Sequence, residues 1–128
     1  MRTLIALVCS AGVLAAVAPA DARAPISGSW RGSMTPLGDA IDTYAFRVNI
    51  NPNGRSGTWR INVCGGRLVY LRSKGRTTWF RERTTYGRDV CKGGATDAIR
   101  RVPGGLYVHV SSAKGKAYNS AGTLRRSD

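Results

Sequence analysis

Residues 44–63 read YAFRVNINPNGRSGTWRINV, and their alternation decides the fold. Tyr44, Phe46, Val48 and Ile50 fall on one side; Ala45, Arg47 and Asn49 fall on the other. A period of two marks a half-buried strand. Asn51-Pro52-Asn53-Gly54 is a turn signal. The next segment repeats the device, with Trp59, Ile61 and Val63 expected inward and Thr58, Arg60 and Asn62 outward. The two segments predict a hairpin.

The same period extends in both directions. Upstream, residues 29–34 bring Trp30 and Met34 to the core side. Downstream, residues 67–73 set Leu68 and Tyr70 against Val69 and Leu71, and Lys74-Gly75 turns the chain. Residues 77–84 place Phe80, Glu82 and Thr84 on one face and Trp79, Arg81 and Arg83 on the other. The glycine-rich stretch 86–96 reads as a loop. Residues 98–102 form a short strand, Pro103-Gly104 a turn, and Leu106, Val108 and Val110 a core face. Residues 117–125 supply the last strand. No helical period of useful length follows residue 25. The expectation is an all-β domain of about eight short antiparallel strands, either a small sandwich or an open meander barrel. Arginines on its edges would discourage edge-to-edge pairing.

The first residues fit a secretory signal. Arg2 is the positive start, residues 4–17 are apolar, and A-x-A sites follow at residues 18–24. The apolar run is shorter than the ~20 residues a spanning helix needs. Residues 1–20 are therefore expected to be removed, with cleavage as late as residue 22. A short lead at 21–27 and one domain at 28–126 would follow. Removing residues 1–20 of 128 leaves 108 residues, enough for one domain with a modest core. The expected location is extracytoplasmic, secreted or periplasmic, with no transmembrane segment.

Cleavage also removes Cys9 and leaves Cys64 and Cys91. Two cysteines in a small exported chain read as one disulfide. The charge falls from +13 to +12, because Arg2 is lost and 19 basic residues face 7 acidic ones. That balance favours an anionic partner, either a cell-envelope polymer or an acidic protein. A merely solvated surface is the competing reading, since the arginines are scattered along the chain.

Trp30-Arg31-Gly32, Cys64-Gly65-Gly66-Arg67-Leu68, Phe80-Arg81-Glu82 and Gly87-Arg88-Asp89-Val90-Cys91 together resemble a small exported all-β domain. That domain occurs in bacterial secreted proteins and as an extracytoplasmic tail on some bacterial serine/threonine kinases. The resemblance covers residues 28–126. It implies a bacterial source and a Cys64–Cys91 disulfide, and it carries no agreed activity. The present chain is far more basic than the pattern.

Catalytic chemistry has few footholds. His109 is the single histidine and shares a face with Tyr107 and Ser111, away from the core. Glu82 is expected to be buried in a basic strand, where a carboxylate needs a paired charge or hydrogen bonds. A structural ion pair with an arginine of a neighbouring strand is the expectation, and a general acid is the alternative. Asp39, Asp42, Asp89 and Asp97 are read as turn-shaping residues. No metal-binding spacing, phosphate loop or dinucleotide fingerprint is present, so no metal or cofactor is expected.

Arg60, Arg67, Arg72, Arg76, Arg81, Arg83 and Arg88 are the candidate contacts for an anionic partner. Trp79 and Tyr86 are candidate exposed stackers, but export disfavours nucleic acid as a specific partner. The function expected is an exported, non-catalytic binding protein of the cell envelope. An inhibitor or immunity-type partner of an envelope enzyme, presenting residues 86–96 or 35–42, is the alternative, ahead of a small hydrolase.

Overall fold

The alternating segments are strands throughout the computed structural model, which describes residues 25–127. The signal segment expected at 1–20 lies outside them. The strands are β1 (Gly28–Pro36), β2 (Tyr44–Ile50), β3 (Ser56–Arg60), β4 (Gly65–Lys74), β5 (Thr77–Tyr86), β6 (Thr96–Val102), β7 (Gly105–Ser111) and β8 (Ser120–Arg126). A single 3-10 turn, Lys116–Tyr118, precedes β8. Each strand pairs antiparallel with the next, and β1 also pairs with β8, so the sheet closes into a barrel. The fold is the all-β antiparallel meander barrel of eight strands that the sequence predicts, closed by the pairing of β1 with β8 and not open.

An eight-stranded barrel is just wide enough for side chains to fill its interior or to hold one small ligand. Here Trp30, Met34, Phe46, Ile50, Phe80, Ile99, Leu106, Val108 and Leu124 are almost completely buried inside. Outward positions of β2 are Ala45, Arg47 and Asn49, all exposed. A lipid-facing barrel needs an apolar outer band. This wall is the reverse, apolar within and basic without.

The two ends differ. Residues 51–55, 75–76 and 103–104 make short reversals at one end. Trp30 plugs that end. Its Nε1–H donates to the Ile26 carbonyl at 2.9 Å, and the guanidinium carbons of Arg101 and Arg126 lie 4.6 Å and 4.5 Å from its ring centroid. The other end carries the longer connections 37–43, 61–64, 87–95 and 112–119.

Two strand boundaries differ from expectation for physical reasons. β3 stops at Arg60, and the chain reverses with the Ile61 N–H donating to the Cys64 carbonyl at 2.9 Å. That reversal sends Cys64 into the core and turns Val63 outward, where it is 51% exposed. β6 begins at Thr96, two residues before the expected start, which brings Asp97 into the barrel. The Cys64–Cys91 disulfide is formed, with Cα atoms 6.1 Å apart. It ties the β3–β4 reversal to the β5–β6 loop. Gly87, at φ 69°, lets that loop pass against Cys64; a Cβ there would strike the Val63 carbonyl.

The bridge closes a loop spanning residues 64–91. In the chain-entropy model this is worth roughly 3–4 kcal/mol. Paired Cys64→Ala and Cys91→Ala substitutions should lower unfolding free energy by about that amount in urea titration, while far-ultraviolet circular dichroism keeps its β signature.

Candidate functional sites on the wall and at the mouth

Arg31 of β1 faces Arg125 of β8 on one side and Arg47 of β2 on the other; Arg47 also faces Arg60 of β3. Four arginines thus stand side by side across four adjacent strands, all exposed. Arg67 of β4 directly faces Arg83 of β5, two residues along β4 from Gly65, which faces Arg60. Directly opposed residues have Cβ atoms about 5 Å apart, and like charges so placed repel. No acid relieves them. Among the described residues Asp39, Asp42 and Asp89 lie in connections, and the strand acids Glu82 and Asp97 are buried inside.

The candidate arginines divide by position. Arg81, Arg83 and Arg88 line one groove of about 740 Å³ on the outside of β4 and β5, together with Lys92 and the exposed apolar Val69 and Leu71. Arg88 is fixed there, its Nε donating to the Thr84 carbonyl at 3.1 Å. Arg60 lines a second depression with Arg47 and the exposed Tyr86. Arg72 lies apart, with its guanidinium carbon 4.6 Å from the Trp79 ring centroid, and Arg76 is in the reversal at the plugged end. Of the two aromatics, Tyr86 therefore offers a free face beside the row, whereas Trp79 is half-buried and stacked by its own chain.

His109 is half-buried on the outer wall, where Ser111 Oγ is 3.3 Å from its Nδ1. The shallow depression around it is lined by Thr77, Ala98, Arg100 and Tyr107, with no carboxylate. This setting builds no Ser-His-Asp relay.

Inside the barrel, Glu82 lies on the expected face with Phe80 and Thr84. Its partner is Asp97, not an arginine. The arginines of β4 and β5 alternate outward, so the strand that buries Glu82 carries its basic neighbours away from it. Asp97 is completely buried. Burial raises both carboxyls, and Asp97 is held well above the usual range, first by burial and then by the Glu82 charge. The closeness of the two carboxyls lowers Glu82 in part and raises Asp97 further. Tyr44, whose hydroxyl is 2.6 Å from Ser120 Oγ, is pushed up to about 12, mainly by burial.

A cavity of about 400 Å³ opens above this pair at the long-loop end. All four long connections contribute to it, and Phe46, Trp59, Val110 and Glu82 form part of its wall. The Trp59 Nε1–H, Glu82 Oε2, Thr84 Oγ1 and both Asp97 carboxyl oxygens are buried without a hydrogen-bond partner among the described residues. Asp97 was missed from sequence because its strand was begun at Ala98. Its spacing of two from Ile99 was the available signal.

No family model, curated protein or solved structure matches this chain.

The acid pair sets a pH dependence. Each carboxyl has a higher pKa folded than the ~4 it has unfolded. Between those values the folded state binds more protons, so stability falls as pH rises through the folded pKa. Lowering pH from 8 to 5 should therefore raise the melting temperature. Asp97→Asn should flatten that rise and raise the melting temperature at pH 8, where the wild-type carboxyl lies furthest from its unfolded protonation state.

Proposed function

We propose that this protein is an exported, non-catalytic binding module that engages an anionic polymer of the cell envelope through its outer wall. The observation that carries the reading is the row Arg125, Arg31, Arg47 and Arg60, opposed pair by pair with no acid between them. Such a row costs stability. In a closed barrel it guards no edge, because β1 and β8 are paired. Solubility alone does not call for like charges in register. A polymer with a repeating negative charge offsets the repulsion along the whole row, and the groove of Arg81, Arg83, Arg88 and Lys92 extends the contact. The envelope setting rests on the signal-like residues 1–20 and on the bacterial-domain resemblance of residues 28–126.

An inhibitor or immunity-type role draws on a different feature. Leu37 and Val90 are 59% and 55% exposed on two of the long connections. Apolar side chains presented on loops at one end fit a protein partner.

Retention on immobilised polyphosphate separates the two readings. The protein should bind at about 0.1 M salt and elute well below 1 M, as the screening length falls from ~10 Å to ~3 Å. The triple substitution of Arg31, Arg47 and Arg60 to Gln should elute at markedly lower salt than Arg72→Gln/Arg76→Gln. It should also be slightly more stable, by a few tenths of a kcal/mol for each opposed pair removed. Equal elution of the two variants would sink the polymer reading. Loss of a saturable protein partner on Leu37→Ser/Val90→Ser would favour the second.

A further inference from the structure

A carboxylate buried in an apolar barrel is stabilised by a positive charge or by hydrogen bonds. The chain has 20 lysines and arginines and places none of the described ones against Glu82 and Asp97. The inward arginine, Arg101, follows Asp97 by four residues on β6 and lies over Trp30 at the plugged end. The pair is buried below the mouth cavity, and Glu82 itself lines that cavity. Its Oε2 accepts no hydrogen bond, and the Trp59 indole N–H, on the same cavity wall, has no acceptor.

We infer that the barrel mouth is a binding site for a small organic amine, whose ammonium group donates to Glu82 while its apolar body lies among Phe46, Trp59 and Val110. This site shares Glu82, Lys92 and Gly93 with the outer groove but none of the arginines Arg31, Arg47, Arg60 and Arg125, and the inference does not depend on that row.

The chemistry selects the ligand class. An ammonium supplies both the hydrogen-bond donors that Glu82 Oε2 lacks and the charge that the carboxylate lacks. Aromatic walls favour the same group, because the faces of Trp and Tyr rings attract cations. Trp59 and Tyr44 are both on the wall. An organic anion would meet the Glu82 carboxylate in a low-dielectric site and be repelled. A neutral alcohol would satisfy a lone pair and leave the charge uncompensated. At the rim, Asp42 stands with Lys92 and Lys114, so the entrance is mixed in sign and the acid at depth decides. The cavity volume, about 400 Å³, is in the usual range for small-molecule sites.

Three probes of one shape test the inference: benzylammonium, benzyl alcohol and benzoate. The readout is the indole N–H resonance of Trp59 in proton–nitrogen correlation spectra, assigned with Trp59→Phe. Benzylammonium should shift it saturably, with Trp30 and Trp79 unmoved. Benzyl alcohol and benzoate should bind at least tenfold more weakly. Glu82→Gln, which keeps the side-chain shape, should weaken benzylammonium at least tenfold and leave benzyl alcohol unchanged. Comparable binding of amine and alcohol would show an apolar pocket and overturn the proposal. So would the absence of any saturable Trp59 shift in the folded wild-type protein, a result that needs no variant to interpret. Retention on polyphosphate reads the outer wall independently of all these outcomes.

Discussion

Closing eight strands on themselves forces every strand residue to face either a narrow interior or the surroundings. The pairing of β1 with β8 imposes that choice here, and it sorts the charges as well as the apolar groups. Arginines one residue away from core positions are all carried outward. The two strand acids, at core positions, are carried inward. Had the sheet stayed open, its end strands could have splayed and left Glu82 and Asp97 some access to water. Closure denies them that, and so it produces the raised carboxyl pair and the acid-free outer wall together.

Much of this was legible in the alternation. Phe46, Val48 and Ile50 alternate with Arg47 and Asn49 as they do in the structure, and Glu82 was placed on the inner face beside Phe80. The period of two is a local property and survives any sheet topology. Where it failed, a longer-range constraint overrode it. Val63 keeps the right parity for the core, yet the tie of Cys64 to Cys91 ends the strand before it. Asp97 reads from sequence as turn-shaping because it borders the loop expected at 86–96. Pairing to β5 and β7 captured it for the barrel instead.

The site was harder to read than the fold, because it is made by registers. The sequence separates Arg31, Arg47, Arg60 and Arg125 by unequal intervals. Nothing in their spacing says that they stand in one row; strand pairing alone aligns them. Arg72 and Arg76, equally basic in sequence, fall elsewhere for the same reason. The expected ion pair of Glu82 with an arginine of a neighbouring strand fails on register, since Leu68 faces it on β4 and Arg67 there alternates outward. The mouth cavity is less local still, drawing on four connections that are distant along the chain.

The order of the strands has a bearing on how the chain folds. Seven of the eight pairings join neighbours in sequence, and such contacts form early and quickly because little chain entropy is lost. The eighth joins the first strand to the last. Until residues 120–126 are free to dock, β1 and β7 each present an unpaired edge, and Trp30 lacks the Arg126 guanidinium that covers it. A chain emerging from its N-terminus can therefore assemble most of the wall while still threading, but it cannot seal it. Completion of the barrel is timed by the arrival of β8, and a chain cut short of β8 keeps both edges open to association with its own kind.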